Sequence, residues 1–597
     1  MHKPVIYQLV VRYFGNVNAT NRPDGTIEEN GCGKFADIND AALRGIKELG
    51  VTHIWLTGVL RQATLTDYSS IGLPADDPDV VKGRAGSFYA IRDYFDVCPD
   101  YAARPAQRMA EFEELVERIH AAGFEVLIDF VPNHVARGYH SIMRPELNFG
   151  LGDDQARFFA RDNHFFYLHR PAGQKLRLEK PPHWNPPGVT FDGHFAPEDG
   201  SASHTPKATG NNIISAEPTA NDWYETVKLN YGFDFIDHTR AFVPRPRTWE
   251  TMNEIIAYWQ EKGVDGFRCD FAHYVPQEFW AYLLGEARQR DARAFFMAEA
   301  YPFPWSGDPI SEMSQLTEAG FDAVYYDASY DGLRAIYQGT ARQEDYDRLL
   351  IDPPVPAHRL VQYLENHDER RIASPIVFNT GADHTGFGSA HAGYQLAPLQ
   401  FLHSRGPVLI YNGQEVGEPG EGVEGFSTNE ARTTFFDYWT MPEFAKWVNH
   451  HAYDGGQLSP EQTALRRFYA ALGKLCQHPC VLGEGHWGLK YYNREDRFAD
   501  CPRDLYSYAR FAHAGGKVLL VVANFKPLYA TEGRMRIPRE LADAAGLSGN
   551  ATVTLILDQA GDQSSGVATL SIEQLANEGF GVNVPTQSSQ VFEITGS

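Results

Sequence analysis

The sequence predicts an α/β fold: an eight-stranded parallel (β/α)8 TIM barrel with an inserted domain after its third strand and a C-terminal antiparallel β-sandwich. Three observations carry this expectation. Strand-like and helix-like runs alternate from residue 5 to about 413, and two stretches, 135 to about 235 and beyond about 485, break the alternation. Four of the apolar runs end in a carboxylate: VLIDFVPNH (126–134), GFRCDF (266–271), FFMAEA (295–300) and LVQYLENHD (360–368). Carboxylates at the ends of parallel strands belong on the one face where barrels build their sites.

The first strand, VIYQLVVRYFG (5–15), is a nearly continuous apolar run, as a strand covered on both faces should be. DAALRGIKELG (40–50) then places apolar residues at three- and four-residue steps, a helical pattern, and leads to the strand VTHIWLTGVL (51–60). The helix MAEFEELVERIHAAG (109–123) precedes the strand that carries Asp129, and TWETMNEIIAYWQEKG (248–263) precedes the one that carries Asp270. QEFWAYLLGEARQR (277–290), the strand to Glu299, a weaker strand near DAVYYD (322–327), the strand to Asp368, the helix GYQLAPLQFLHSRG (393–406) and PVLIYNG (407–413) complete eight strands. Several of these helices stop at glycine, as a C-terminal cap does.

Residues 135–235 hold PPHWNPPG, DGHF and ATGNN, with no sustained helical period. A loop this long is a small inserted domain or a binding wall rather than coil. From about residue 485 the pattern turns to short alternating strands, as in LYSYARFAHAGGKVLLVVANF (505–525), VTLILD (553–558) and SQVFEITG (589–596). The expected domains are therefore 1–134 and 236–485 for the two parts of the barrel, 135–235 for the insertion and 486–597 for the sandwich.

The chain has 597 residues, 43% of them hydrophobic, so it can bury more than one core. Its 53 basic against 77 acidic residues give a formal charge of -24, which repels phosphate backbones and anionic lipid and excludes nucleic acid and membrane as expected partners. Oligomeric state is not legible. The six cysteines are scattered, and Cys476 and Cys480 match no zinc spacing, so free thiols are expected. No apolar run reaches the roughly 20 residues of a membrane span. MHKPVIYQLV enters a strand without the apolar core of a secretory leader, so the expected location is the cytoplasm, or the periplasm or outside with the leader removed.

One aspartate at a strand end more often caps the next helix than does chemistry. Four carboxylates on one face, flanked by Arg and His, point the other way. Arg268 and Asp270 are two residues apart, so strand alternation turns both side chains to the same side, where the guanidinium is expected to keep Asp270 ionised as a nucleophile. Glu299, one βα unit later and partly desolvated, is expected to hold a proton. Two carboxyls of unlike protonation on neighbouring strands suit glycoside hydrolysis with retention.

VLIDFVPNH, GFRCDF, MAEA and LENHD resemble, in order and spacing, the four short signature regions of the α-amylase family, glycoside hydrolase family 13, and within it the bacterial α-amylases. The resemblance implies an α-glucan or oligosaccharide substrate, with Asp270 as nucleophile, Glu299 as general acid and base, and Asp368 as the carboxylate that grips sugar hydroxyls. Arg268, His134 and His367 would complete the glucose subsite. The run SFYAIRDYFDV (87–97) resembles the family's Tyr-x-x-x-Asp element, so Tyr89 would stack on that glucose and Asp93 would brace the site. Asp129 would be structural, and Asn133 would contribute to a structural Ca2+ that joins barrel and insertion, although no second carboxylate ligand is evident in TVKLNYGFDF (226–235). No organic cofactor is implied.

The sequence departs from many amylases where Phe271, His273 and Tyr274 stand in place of Ala, Lys and His, and where Ala300 and Tyr301 follow the acid. His273 is retained as a substrate-binding candidate, with unusual acceptor-side contacts expected. Trp184 and Trp223 are either sugar platforms or core residues. Cleavage of α-1,4 bonds is the leading reading; a transglycosylase or a sugar isomerase on the same scaffold, forming maltosyl, glucosyl or trehalose-type products, is the alternative. A catalytic metal held by His134, His273, His367 and the aspartates, and a non-catalytic binding protein, are weaker readings from other classes.

Overall fold

The computed structural model describes residues 2–168, 174–181, 184–301, 310–376, 386–420 and 431–596. Pro182 and His183, within the run 181–188, lie outside these. Eight parallel strands form one sheet in sequence order: β1 (Val5–Val10), β2 (His53–Thr57), β3 (Glu125–Phe130), β4 (Gly266–Cys269), β5 (Phe295–Ala298), β6 (Ala323–Tyr325), β7 (Leu360–Val361) and β8 (Val408–Tyr411). β8 pairs with β1, and Gln362 bridges to Val408, so the sheet closes into a barrel. Residues of β1, β2, β4 and β8 are buried throughout, which explains their unbroken apolar sequences.

The periodic helices form where apolar spacing placed them: Asp40–Glu48, Arg108–Ala121, Arg247–Glu261 and Gln277–Arg290. Asn39 caps the first, its side chain accepting from the Ala41 and Ala42 N–H groups. Gly123 and Gly263, just past two of these helices, have φ of 79° and 86°, a left-handed turn that a side chain would strain. The helix from Ala392 stops at Phe401, short of the expected 406. Met313–Ala319, Asp327–Tyr337 and Gln343–Ile351 are helices that the sequence pattern did not assign.

The expected strand 360–368 shrinks to two residues. After Gln362 the chain leaves the wall because Glu365, fully buried, accepts from the Ile372 N–H at 2.8 Å and from Arg371 at 3.0 Å, folding the segment back on itself. Asp368 is thus carried on a loop rather than at a strand end.

After β3, residues His134–Ala136 pair antiparallel with Thr226–Lys228, so the long segment between them leaves and returns at one place. It is held by small apolar clusters, one around Phe166, Leu168, Ala208 and Ala216, and by the buried pair of Arg137 and Glu198 at 2.6 Å. With so little apolar content, polar contacts must fix its shape.

The C-terminal part is antiparallel, with a six-stranded sheet and a separate two-stranded one. Strict alternation buries both faces of the larger sheet: Leu505, Ala509, Val518, Leu520 and Val522 enter a second core, while Tyr506, Tyr508, Leu519, Val521 and Ala523 pack into the core of the barrel. The Tyr508 hydroxyl donates to the Pro398 and Leu399 carbonyls at 3.1 Å. All six cysteines are free and buried, and among the described residues no helix is long and apolar enough to cross a membrane. Leu520→Ala should lower unfolding free energy by about 2–5 kcal/mol, the cost of a buried leucine plus the cavity it leaves, as read by urea denaturation; a loss under about 1 kcal/mol would show that the second core is loosely packed.

Candidate active site

The ladder itself aims the reacting groups. Asp129 on β3 is the register partner of Arg268 on β4, and two further bonds carry the ladder past the strands: the Asp270 N–H donates to the Phe130 carbonyl at 2.8 Å and the Glu299 N–H to the Cys269 carbonyl at 2.9 Å. Alternation then turns Arg268 and Asp270 inward together. The Arg268 guanidinium, wholly buried, donates to Asp270 Oδ1 at 2.7 Å through one nitrogen and reaches Glu299 Oε2 at 2.7 Å through another. Asp129 and Asp368 lie 3.5 and 3.9 Å from it. Rings of Trp55, Tyr89 and Tyr325 surround the cation at 5.3–5.6 Å.

Glu299 is the better held of the pair. Its Oε2 also accepts from the Phe271 N–H at 2.8 Å, and its Oε1 from the Tyr301 hydroxyl at 2.9 Å. Phe271 takes φ 44°, ψ 42° to aim that N–H, a rare conformation for a bulky residue. It is enforced by neighbours: the Ala272 N–H donates to the Glu299 carbonyl at 3.0 Å, and Trp280 Nε1 to the Ala272 carbonyl at 2.9 Å. Asp270 Oδ2, by contrast, is buried with no hydrogen-bond partner among the described residues.

Protonation departs from the sequence reading. Burial and the Glu299 charge push the Asp270 carboxyl well above the ordinary carboxylate range and outweigh Arg268, which was expected to keep it ionised. One guanidinium cannot neutralise a cluster of carboxyls, so burial favours the protonated form of Asp270. Asp129 is also raised by burial, and its Oδ2 accepts from the Gly58 N–H at 2.9 Å, tying β2 to β3. Asp368 goes the other way: burial raises it, but the charge and hydrogen bond of His367, then Arg268 and Arg432, bring it to about 2. Gln8 Nε2 lies 2.8 Å from His367 Nδ1 and fixes the ring, whose Nε2 faces Asp368 Oδ2 at 3.0 Å and the Tyr89 hydroxyl.

A cavity of about 530 Å³ opens over this cluster, lined by Tyr89, His134, Asp270, Glu299 and Asp368 among others. Arg268 and His367 lie beneath it as supports. His273 is brought close but is not among the lining residues: it is 5% exposed, stacks behind Phe271 at 5.2 Å, and burial lowers it to about 4. Asp93 is also away from the lining, accepting from the Ile142 N–H at 2.9 Å and the Phe95 N–H at 3.0 Å. Asn133 is fully buried, with Lys228 Nζ donating to its Oδ1. His134 is kept neutral, lowered to about 3 by burial and then by Lys228. The two tryptophans part ways, since Trp223 lines the cavity against Phe271 at 4.7 Å while Trp184 is 1% exposed beside Phe191.

Several lining residues had no sequence signal. Arg432 donates to the Asp368 carbonyl at 3.0 Å, Lys82 and Glu225 pair at 3.2 Å on one wall, and Asp327, raised to about 6 by burial and Asp331, lies with Glu369 on the other. Arg432, Lys82, Glu225 and Glu369 come from loops with no periodicity to read, and Asp327 begins the helix Asp327–Tyr337 that the sequence pattern did not assign. Lys228 was within reach, as a lone cation in an apolar strand run.

A family model described as the α-amylase catalytic domain matches residues 25–302, the stretch that contains Asp129, Arg268, Asp270 and Glu299. Over that stretch, a little under half of its length, the chain is similar to the α-amylase catalytic domain. Similar proteins include α-amylase MalA of Haloarcula japonica, 24% identical over 424 residues (70% of this chain, 44% of that protein), and neopullulanase 2 of Thermoactinomyces vulgaris, 22% identical over 431 residues (70% and 57%). The chain spans about half the length of these relatives. In fold, the α-amylase of Lactobacillus plantarum superposes with a TM-score of 0.59 at 18% identity, covering 99% of this chain and 98% of that one. The α-amylase family signatures thus fall on the residues that the barrel gathers around Arg268.

Because burial and Glu299 disfavour ionised Asp270, its carboxyl costs stability above the ordinary range near pH 4 and not below it. Asp270→Asn should melt a few degrees higher than the parent at neutral pH. The difference should vanish as pH falls to about 4, where the parent group is protonated folded or unfolded. Calorimetry across pH checks this, and a variant that melts lower at neutral pH would count against the electrostatic assignment.

Proposed function

We propose that the chain is a retaining, α-glucan-active glycoside hydrolase that cleaves α-1,4-glucosidic bonds in starch-like polymers or maltooligosaccharides. The observation that carries this is the single guanidinium touching Asp270 and Glu299 at 2.7 Å each, beneath an open cavity. It supports the close carboxyl spacing, roughly 5 Å, of retaining glycosidases. Asp270 Oδ2, the oxygen without a partner, attacks the anomeric carbon while Glu299 gives its proton to the leaving glycosidic oxygen; Glu299 then takes a proton from the water that releases the sugar with its α configuration. This mechanism needs the proton on Glu299 when substrate arrives, and Arg268 stabilises Asp270 as it ionises. Asp368, held ionised, with His367 and Tyr89 beside it, is placed to bind sugar hydroxyls and stack on the ring.

A second reading is glycosyl transfer or sugar isomerisation. Phe271 and Trp223 meet edge to face beside the acid, an apolar wall against which an acceptor sugar can be held while water is excluded. Incubation with maltoheptaose and with starch separates the two: shorter products released as α-anomers support hydrolysis, while longer products or trehalose-type disaccharides overturn it in favour of transfer. Asp270→Asn should lose activity by more than about 10³-fold, and an active variant would remove Asp270 as nucleophile.

A further inference from the structure

At the root of the segment that follows β3, the resemblance implied a divalent cation beside Asn133, and a lysine stands there. His134 is the register partner of Lys228 across the strand pair, and the Leu229 N–H donates to the Asn133 carbonyl at 3.0 Å. This register carries Lys228 Nζ to Asn133 Oδ1, with the Tyr274 carbonyl at 3.3 Å and the centre of the Tyr274 ring at 5.4 Å. Lys228 is 3% exposed and Asn133 is fully buried. The other end of the amide is equally committed: Asn133 Nδ2 donates to the Gly210 carbonyl at 2.9 Å and faces His134 Nδ1 at 3.0 Å. Gly210 can come so near because a Cβ there would meet Thr226 Oγ1 at 2.4 Å.

These residues do not fit calcium. That ion takes six to eight oxygens, usually with carboxylates among them. Here the Asn133 oxygen already accepts from a lysine whose amino group fills the space beside it. Among the described residues, the only three-residue group of His, Cys, Asp or Glu with ligand atoms mutually within 4.8 Å is His2, His53 and Glu125, where β2 and β3 begin, far from Asn133 along both strands.

We infer that Lys228 takes the cation's place: its amino group joins the barrel to the 135–235 segment, and by fixing the Asn133 amide it holds His134 with its ring proton on Nε2. The logic is that of donors and acceptors. Lysine offers only donors, so the amide oxygen must face it; the Gly210 carbonyl offers only an acceptor, so the amide nitrogen must face that. His134 Nδ1 then meets a donor and stays unprotonated, which leaves Nε2–H on a ring that lines the cavity. Lys228 is a positioning residue, one step removed from the cavity.

Thermal melting of the full chain tests this after dialysis against EDTA, with millimolar calcium added, and in Lys228→Met. The parent should melt within a degree under both metal conditions and should carry no stoichiometric calcium by elemental analysis. Lys228→Met should melt several degrees lower, with no rescue by calcium. In ¹⁵N spectra of the imidazoles the parent should show His134 as the Nε2–H tautomer, and the variant should show a mixture of tautomers once the amide can turn. A parent that loses several degrees in EDTA and regains them with calcium would overturn the assignment, and this measurement decides even if Lys228→Met does not fold. A variant with parental melting and an unchanged His134 signal would equally overturn it.

Discussion

Everything at the open end of the barrel depends on one buried cation. Arg268 has four carboxylates within 4 Å, and its guanidinium, itself wholly buried, is closed in by three aromatic rings. Burying it without those carboxylates would be prohibitive, and burying the carboxylates without it would neutralise them by protonation. Because Arg268 is a strand residue paired in register with Asp129, its position is set by the barrel ladder rather than by a loop. The site is thus as rigid as the sheet that carries it.

That rigidity is bought with local strain and unequal satisfaction. Phe271 holds a left-handed backbone so that its N–H can reach Glu299, while Asp270 keeps one oxygen without a partner. Groups left wanting in this way are what a substrate can complete, so the features that cost the fold stability are those that favour chemistry. His367 shows the complementary device, with Gln8 fixing the ring so that its Nε2 faces Asp368.

The barrel was legible because burial on both faces leaves unbroken apolar runs, and the trio was legible because Arg268, Asp270 and Glu299 sit on or one step beyond those runs. Asp368 was found by its motif but misplaced, since the turn made by Glu365 with Arg371 and Ile372 is a local polar contact with no periodic trace. Arg432 and Lys82 were invisible for a related reason: they arrive from irregular segments whose spacing encodes nothing. The protonation of Asp270 was misread because two neighbours in sequence, Arg268 and Asp270, suggested a pair, whereas the fold sets a second carboxyl, Glu299, against it and removes the water.

The larger C-terminal sheet alternates so strictly that Leu520 and Val521 serve different cores. A sheet that shares one face with its neighbour keeps only the other dry by itself. Severed from the barrel, it would present Tyr506, Tyr508 and Val521 to solvent and invite self-association, and the barrel would lose a wall. The change of sequence pattern near residue 485 therefore marks a change of architecture without marking a place where the protein can be cut, and heating should melt both parts in one cooperative step.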